Sequence, residues 1–285
     1  MSGIDRRTID ELVARYELEP ELRDLYVEGV FDKDVISACL ASSKQLNFTV
    51  YEIDGVDVPP GLLFSNGLTD GNKQRLIVLA REFKSMLTSN CSALCLVDRD
   101  LDHWLKELEE NKYLRWTRYC SIESCFLNES TIRSILVDYQ GSKINNFSKY
   151  FTSLVNTLTI LYALRLADNR CSWGMTWIPF EKCLSREDEC IKFNVEEYVK
   201  RLLINNSKSK RSEEFLESYN NSNDVLTGDF RLFARGHDLV ELLVWSVKSF
   251  DGIKSLASNL LVERAMVLLA GKSQEVIGEL HAEFS

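Results

Sequence analysis

The segment Ser92–Val97, SALCLV, is apolar almost without interruption and runs straight into Asp98-Arg99-Asp100. A short continuous apolar run of this kind is the mark of a strand buried on both faces, which occurs in parallel sheets covered by helices. Upstream, Leu22–Val27 is a compact apolar run ending at Glu28-Gly29, and Asn47–Ile53 (NFTVYEI) is rich in β-branched and aromatic residues. Between them, Asp32 is placed to cap a helix that carries Val35, Ile36 and Leu40 on one face. A short opening helix is expected over Thr8–Glu17. A long one, starting at Asp70 or Asn72, places Leu76, Leu79, Ala80, Phe83 and Leu87 at helical spacing. His103–Glu110 reads as a further helix, and Arg115–Ile122 as a fourth strand ending at Glu123. The order β-α-β-α-β-α-β over 22–123 implies right-handed crossovers and a mostly parallel sheet.

Beyond residue 128 the pattern changes. Segments 129–139, 147–168, 195–205, 211–219, 238–249 and 254–270 have the apolar periodicity of amphipathic helices. The expected organisation is an α/β domain over 1–128 and a helical accessory lobe over 129–285. NNSKSKR (205–211) and NNSND (220–224) read as polar, mobile loops. Leu239, Leu242, Leu243 and Val247 form an apolar face suited to core or interface.

No stretch reaches the roughly 18 apolar residues of a membrane span, and MSGIDRRTIDELV lacks a secretory apolar core. The chain therefore reads as cytoplasmic, with no membrane partner. Its eight cysteines include pairs four, five and seven residues apart (91/95, 120/125, 183/190), but no CxxC, and the only histidines are His103, His237 and His281. Buried thiols fit this better than a zinc site. The formal charge of −9 repels polyanions on average, so a phosphate-binding site has to be a local basic patch or a metal site. There is no GxxxxGK[ST] loop for ATP and no G-x-S-x-G elbow.

In an open parallel sheet, ligands bind at the carboxyl ends of the strands. Three expected strand ends carry acids: Glu28, then Asp98, Asp100 and Asp102, then Glu123. Carboxylates brought together there repel unless a cation neutralises them, and hard oxygen donors suit Mg²⁺ or Mn²⁺. Any one of these acids is equally suited to capping a helix. It is the conjunction that points to a site.

Glu28-Gly29 followed about seventy residues later by Asp98-Arg99-Asp100, with Asp32 four residues after the glutamate, resembles the TOPRIM domain. The trio YVEGVFDKDV, LVDRDLD and YCSIESCFLN is similar to the TOPRIM nucleases related to the OLD nucleases, the branch containing the AriB-like effectors of PARIS anti-phage systems. The resemblance covers roughly residues 22–125. It implies a TOPRIM-like, mostly parallel four-stranded sheet flanked by helices. It also implies a Mg²⁺- or Mn²⁺-dependent nuclease that binds one or two ions through Glu28, Asp98, Asp100 and Glu123, supported by Asp32 and Asp102. The substrate implied is nucleic acid, tRNA ahead of DNA, in a toxic antiviral effector. Control would lie with an ABC- or SMC-like, AriA-type ATPase, and a homodimer is a further expectation.

Arg235-Gly236-His237-Asp238-Leu239 stands where that family has a G-K-x-L segment, with His237 in place of the lysine. His237 and the basic tip Lys208, Lys210 and Arg211 are candidate substrate contacts, although Glu213, Glu214 and Glu217 follow closely. Trp173, Trp177 and Tyr162 are candidates for base stacking, or for core. A non-catalytic subunit that uses the same scaffold to dock on an ATPase, or an OLD-like DNA nuclease, are the alternatives.

Overall fold

The computed structural model describes residues 6–42, 48–88 and 91–282. The chain divides into two compact units, one of residues 1–118 and 267–285, the other of residues 119–266. The boundary expected at 128/129 lies inside the second unit, and the C-terminal segment belongs with the first.

In the first unit, β1 (Arg7–Thr8) leads into α1 (Ile9–Leu18) through a reciprocal cap. The Thr8 N–H donates to the Glu11 carboxylate (2.7 Å) and the Glu11 N–H to Thr8 Oγ1 (3.2 Å). There follow β2 (Asp24–Val27), α2 (Val30–Ser42), β3 (Thr49–Glu52), β4 (Val56–Asp57), α3 (Pro60–Ser65) and α4 (Asn72–Met86). Then come β5 (Leu94–Val97), the single turn α5 (Asp102–Leu105) and β6 (Leu114–Trp116). Strands β3-β2-β5-β6 form one sheet, parallel throughout, with Tyr26 level with Tyr51 on one side and Cys95 on the other. The short β1 and β4 pair separately, also in parallel.

The alternation of a pleated strand explains how both faces are filled. Tyr26, Cys95 and Val97 join Leu12 and Tyr16 of α1 and Leu76, Leu79, Ala80 and Phe83 of α4 in one apolar cluster. Leu25, Val27 and Leu96 alternate to the opposite face and are equally buried. Right-handed crossovers put α2 on that face, where its Val35, Ile36, Cys39 and Leu40 are buried. Alongside it comes α12 (Gln274–His281), the last helix described, with Val276, Ile277 and Leu280 buried.

The second unit is mainly helical: α6 (Glu129–Arg133), which continues into a π-turn, α7 (Phe147–Cys171), α8 (Val195–Asn205), α9 (Ser212–Val225), α10 (Gly236–Ser249) and α11 (Asn259–Ala270). The unit boundary falls inside α11. An antiparallel hairpin, β7 (Leu184–Glu187) with β8 (Cys190–Phe193), interrupts the helices between α7 and α8. Leu239, Leu242, Leu243 and Val247 of α10 are fully buried core, so they present no interface. Among the described residues no helix is long and apolar enough to cross a membrane.

Several expectations differ from the structure. Strand β6 is three residues, not eight, because β6 is the sheet edge; the chain leaves it after the Thr117 N–H bonds the Val97 carbonyl (2.9 Å). The apolar residues that follow are buried in the second unit. The helix expected over 103–110 is a single turn. Arg81 grips the Glu109 carboxylate (2.7 and 3.0 Å) and Trp116 Nε1 donates to the Glu109 carbonyl (3.0 Å), fixing that segment outside a helix. Residues 220–224 are helical rather than a loop, since α9 packs on α7 and Arg170 donates to the Asn221 carbonyl and Ser222 Oγ, both at 3.2 Å.

All eight cysteines are thiols, as expected. Six are buried, and burial pushes the Cys39 thiol up to about 11, while Cys171 and Cys190 are half-exposed. A thiolate is the reactive form, so titration with a disulfide reagent at pH 8 should count two rapid thiols in the native protein and eight after unfolding. More than two rapid thiols would contradict this packing.

Candidate functional site

The connection β2-α2-β3 moves outward in one direction and β3-α4-β5 returns past β2 to the other side, so strand order reverses between β2 and β5. That switch point is where an open parallel sheet forms a ligand crevice at its carboxyl edge. Glu28 follows β2 directly and Asp98 follows β5 directly. The Asp98 N–H donates to Glu28 Oε1 (3.1 Å), joining the two strand ends across the switch. Asn72, the first residue of α4, donates its amide to the Glu28 carbonyl (2.7 Å). Glu28, Asp98 and Asp100 are half-buried.

Asp32 does not begin α2, which starts two residues earlier. It sits in the first turn and its Oδ2 accepts the Gly29 N–H (3.2 Å), steadying the turn that carries Glu28. Asp100 adopts a left-handed conformation (φ 47°), which aspartate tolerates better than most residues, and this opens the chain after β5 into a turn. Arg99 spans to β6: its N–H meets Thr117 Oγ1 (3.1 Å) and its Nε donates to the Thr117 carbonyl.

Two charged residues of this edge were missed by sequence reasoning. Lys73, in the first turn of α4, places Nζ 3.0 Å from both Asp100 Oδ2 and Asp102 Oδ2. Burial works to lower the Lys73 pKa, but Asp100 and Asp102 outweigh it and hold the ammonium above its ordinary value. Asp102 also pairs with Lys106 at 3.2 Å. Glu52, at the end of β3, is a further strand-end acid and pairs with Lys33 of α2 (3.0 Å). A lysine at a helix start carries no local signal of the partners it meets.

Among the described residues no group of three or more histidine, cysteine, aspartate or glutamate side chains is arranged to hold a metal ion. The residues present thus do not form a closed cage, and the Asp100–Asp102 pair already has a cation in Lys73. Glu28 and the adjoining Asp98 fit a looser mode, in which Mg²⁺ keeps waters and uses one or two carboxylates plus substrate phosphates.

Glu123 does not end a strand. It lies in a 3₁₀ turn, Ile122–Phe126, of the second unit. There Gly236, the first residue of α10, lets the Glu123 carboxyl lie so close that a Cβ at Gly236 would collide with it and with Ser121 Oγ. Glu263 of α11 completes a small acidic group. Burial and then the Glu123 charge raise its pKa, while His237 works in the opposite direction. His237 itself is an exposed residue in the first turn of α10.

The basic tip is largely engaged within its own unit. Arg211 Nε donates to Glu214 (2.7 Å), and Lys208 and Arg211 lie over the Trp173 ring at 5.2 and 4.6 Å; Lys210 is exposed. Trp173 stacks on Phe215, and Tyr162 is core. Trp177 covers Arg165, which forms a two-bond ion pair with buried Asp238 (2.7 and 2.9 Å). None of the three aromatics therefore stands open as a stacking platform.

Gly236→Ala should displace the Glu123 carboxyl at little cost, since the colliding atoms are the ends of side chains that can turn away. The expected melting shift corresponds to less than about 1.5 kcal/mol, with a clear change in the Glu123 side-chain carboxyl resonance by NMR. An unmoved resonance would show that the close approach is not real.

Neither a protein-family model nor a curated protein matches the chain.

Proposed function

We propose that the chain is a metal-dependent phosphodiesterase of TOPRIM type, acting on nucleic acid as the effector of an anti-phage defence system under a partner ATPase. The observation that carries this reading is the meeting of Glu28 and Asp98 on the two sides of the strand-order switch, joined by one hydrogen bond. The E-G turn and the D-x-D turn, seventy residues apart in sequence, are side by side at the one edge where a parallel sheet binds ligands.

A bound Mg²⁺ or Mn²⁺ would supply charge neutralisation at the scissile phosphate and acidify a water. The chain's own residues perform the positioning. Glu28 and Asp98 offer hard oxygen donors from rigid strand ends. Asp32 fixes the Gly29 turn, and Asn72 holds the Glu28 backbone. Lys73 bridges Asp100 and Asp102, and with Lys106 on Asp102 it balances the charge of that turn. tRNA is the favoured substrate and DNA the alternative.

The same lysine favours a second reading. Its hold on Asp100 and Asp102, with no group of three ligands among the described residues, also suits a non-catalytic scaffold that docks on an ABC- or SMC-like ATPase.

The purified chain should cleave tRNA or plasmid DNA with Mg²⁺ or Mn²⁺ and not with EDTA. Glu28→Gln keeps an acceptor for the Asp98 N–H, so its stability should change by less than about 1 kcal/mol. Its cleavage rate should fall roughly 10²-fold or more, the scale of losing a group that stabilises transition-state charge. Asp98→Asn should behave alike, and Asp102→Ala should do less. Full activity in Glu28→Gln would end the proposal. No cleavage with any metal, with or without the ATPase, would leave the docking role.

A further inference from the structure

Beside the carboxylate edge, the first unit has an open groove of about 630 Å³. Its lining includes Lys84, Arg99, Asn111, Lys112, Arg115 and Trp116. It runs from the loop before β6 along that edge strand to Arg99, the middle residue of Asp98-Arg99-Asp100. Two acids, Glu109 and Glu110, share the lining, and Arg81 already neutralises the first. Lys84, Lys112 and Arg115 are exposed, and among the described residues none of the three meets a carboxylate. Lys112 lies over the Tyr113 ring (4.6 Å), and Arg115 bonds only to the backbone carbonyls of Lys112 and Leu114 (3.5 and 3.2 Å). Asn111 is 7% exposed; its Oδ1 takes the Tyr113 N–H (3.0 Å), whereas its Nδ2 meets no acceptor.

A chain of net charge −9 repels polyanions over most of its surface, so a groove in which Lys84, Arg99, Lys112 and Arg115 outnumber Glu109 and Glu110 selects for them. We propose that this groove binds the phosphodiester backbone of the nucleic-acid substrate, with Lys84, Lys112 and Arg115 as phosphate contacts and Asn111 as a further donor. Arg99 lines the groove and belongs to the D-x-D turn, so a strand lying along β6 is led toward Asp98. This rests on the phosphodiesterase reading and moves the substrate contacts away from Lys208 and Arg211, whose charges are engaged within their own unit.

Cations on an open edge strand also act as guards against edge-to-edge association, and the test separates the two roles. Fluorescence anisotropy in EDTA, where no cleavage occurs, would follow labelled RNA hairpin, single-stranded DNA and duplex DNA between 50 and 200 mM salt. The triple variant Lys84→Ala, Lys112→Ala, Arg115→Ala should bind about tenfold or more weakly. The slope of log affinity against log salt should fall by about 2 for single strands, from about 0.7 per lost phosphate contact. The charge-keeping variant Lys84→Arg, Lys112→Arg, Arg115→Lys should bind as the parent does. The arm with the largest loss identifies RNA or DNA as the ligand. Unchanged affinity in the alanine variant overturns the proposal, and newly gained self-association in that variant would leave the cations as edge guards. Failure of the parent to bind any arm overturns it as well. Binding without metal-dependent cleavage would instead defeat the phosphodiesterase reading and leave the groove standing.

Discussion

Carboxylates gathered along one edge of a parallel sheet repel one another, and the elements around this edge offset that repulsion one acid at a time. Glu28 accepts the Asp98 N–H, and Asp32 accepts the Gly29 N–H. Lys33 answers Glu52, Arg75 answers Asp54 (2.7 Å), and Lys73 answers Asp100 and Asp102. These cations come from the first turns of α2 and α4, whose N-termini lie at the carboxyl edge because crossover helices run antiparallel to the strands. The backbone adds its own partial positive charge at the same place. The topology that gathers the acids thus also delivers what stabilises them.

That edge rests on a buried base. Tyr16 donates to Asp24 (2.9 Å) and accepts from Tyr26 (2.6 Å), while Arg15 pairs with Asp24 (2.9 Å). This network lies in β2, the strand that Glu28 directly follows. Burial raises the Tyr16 and Tyr26 pKa values, so both phenols stay neutral hydrogen-bonding groups. The second unit has its own counterpart in Arg165–Asp238, where removal of Arg165 would leave buried Asp238 only the longer contact to Arg235 (3.6 Å).

The strands that form the switch point were legible because each is an apolar run cut off by charge: LYVEG and CLVDRD leave little choice of register or end. Helices α1, α4, α7 and α10 were legible from periodicity. What stayed hidden was set by distant partners. Glu109 is drawn from a helix-forming stretch by Arg81 and Trp116, and residues 220–224 are kept helical by Arg170 despite weak propensity. Glu123 was misplaced because the apolar run after β6 is equally compatible with a strand and with a buried 3₁₀ turn. Lys73 and Glu52 were invisible as site residues. Their roles come from which helix start and which strand end the sheet brings together.

The helix α12 has a bearing on synthesis. Cys39 Sγ meets the Ile277 carbonyl (4.0 Å), and Ser42 Oγ donates to the Gly271 carbonyl (2.6 Å), so residues from the last described segment cover the α2 side of the sheet unit. When β6 has just been synthesised, this layer is still about 150 residues from being made, and translation at roughly 5–20 residues per second leaves an interval of order ten seconds or more. Through that time the sheet unit lacks part of one apolar covering. A nascent chain therefore holds the carboxylate edge before it holds the packing that keeps β2 rigid beneath Glu28.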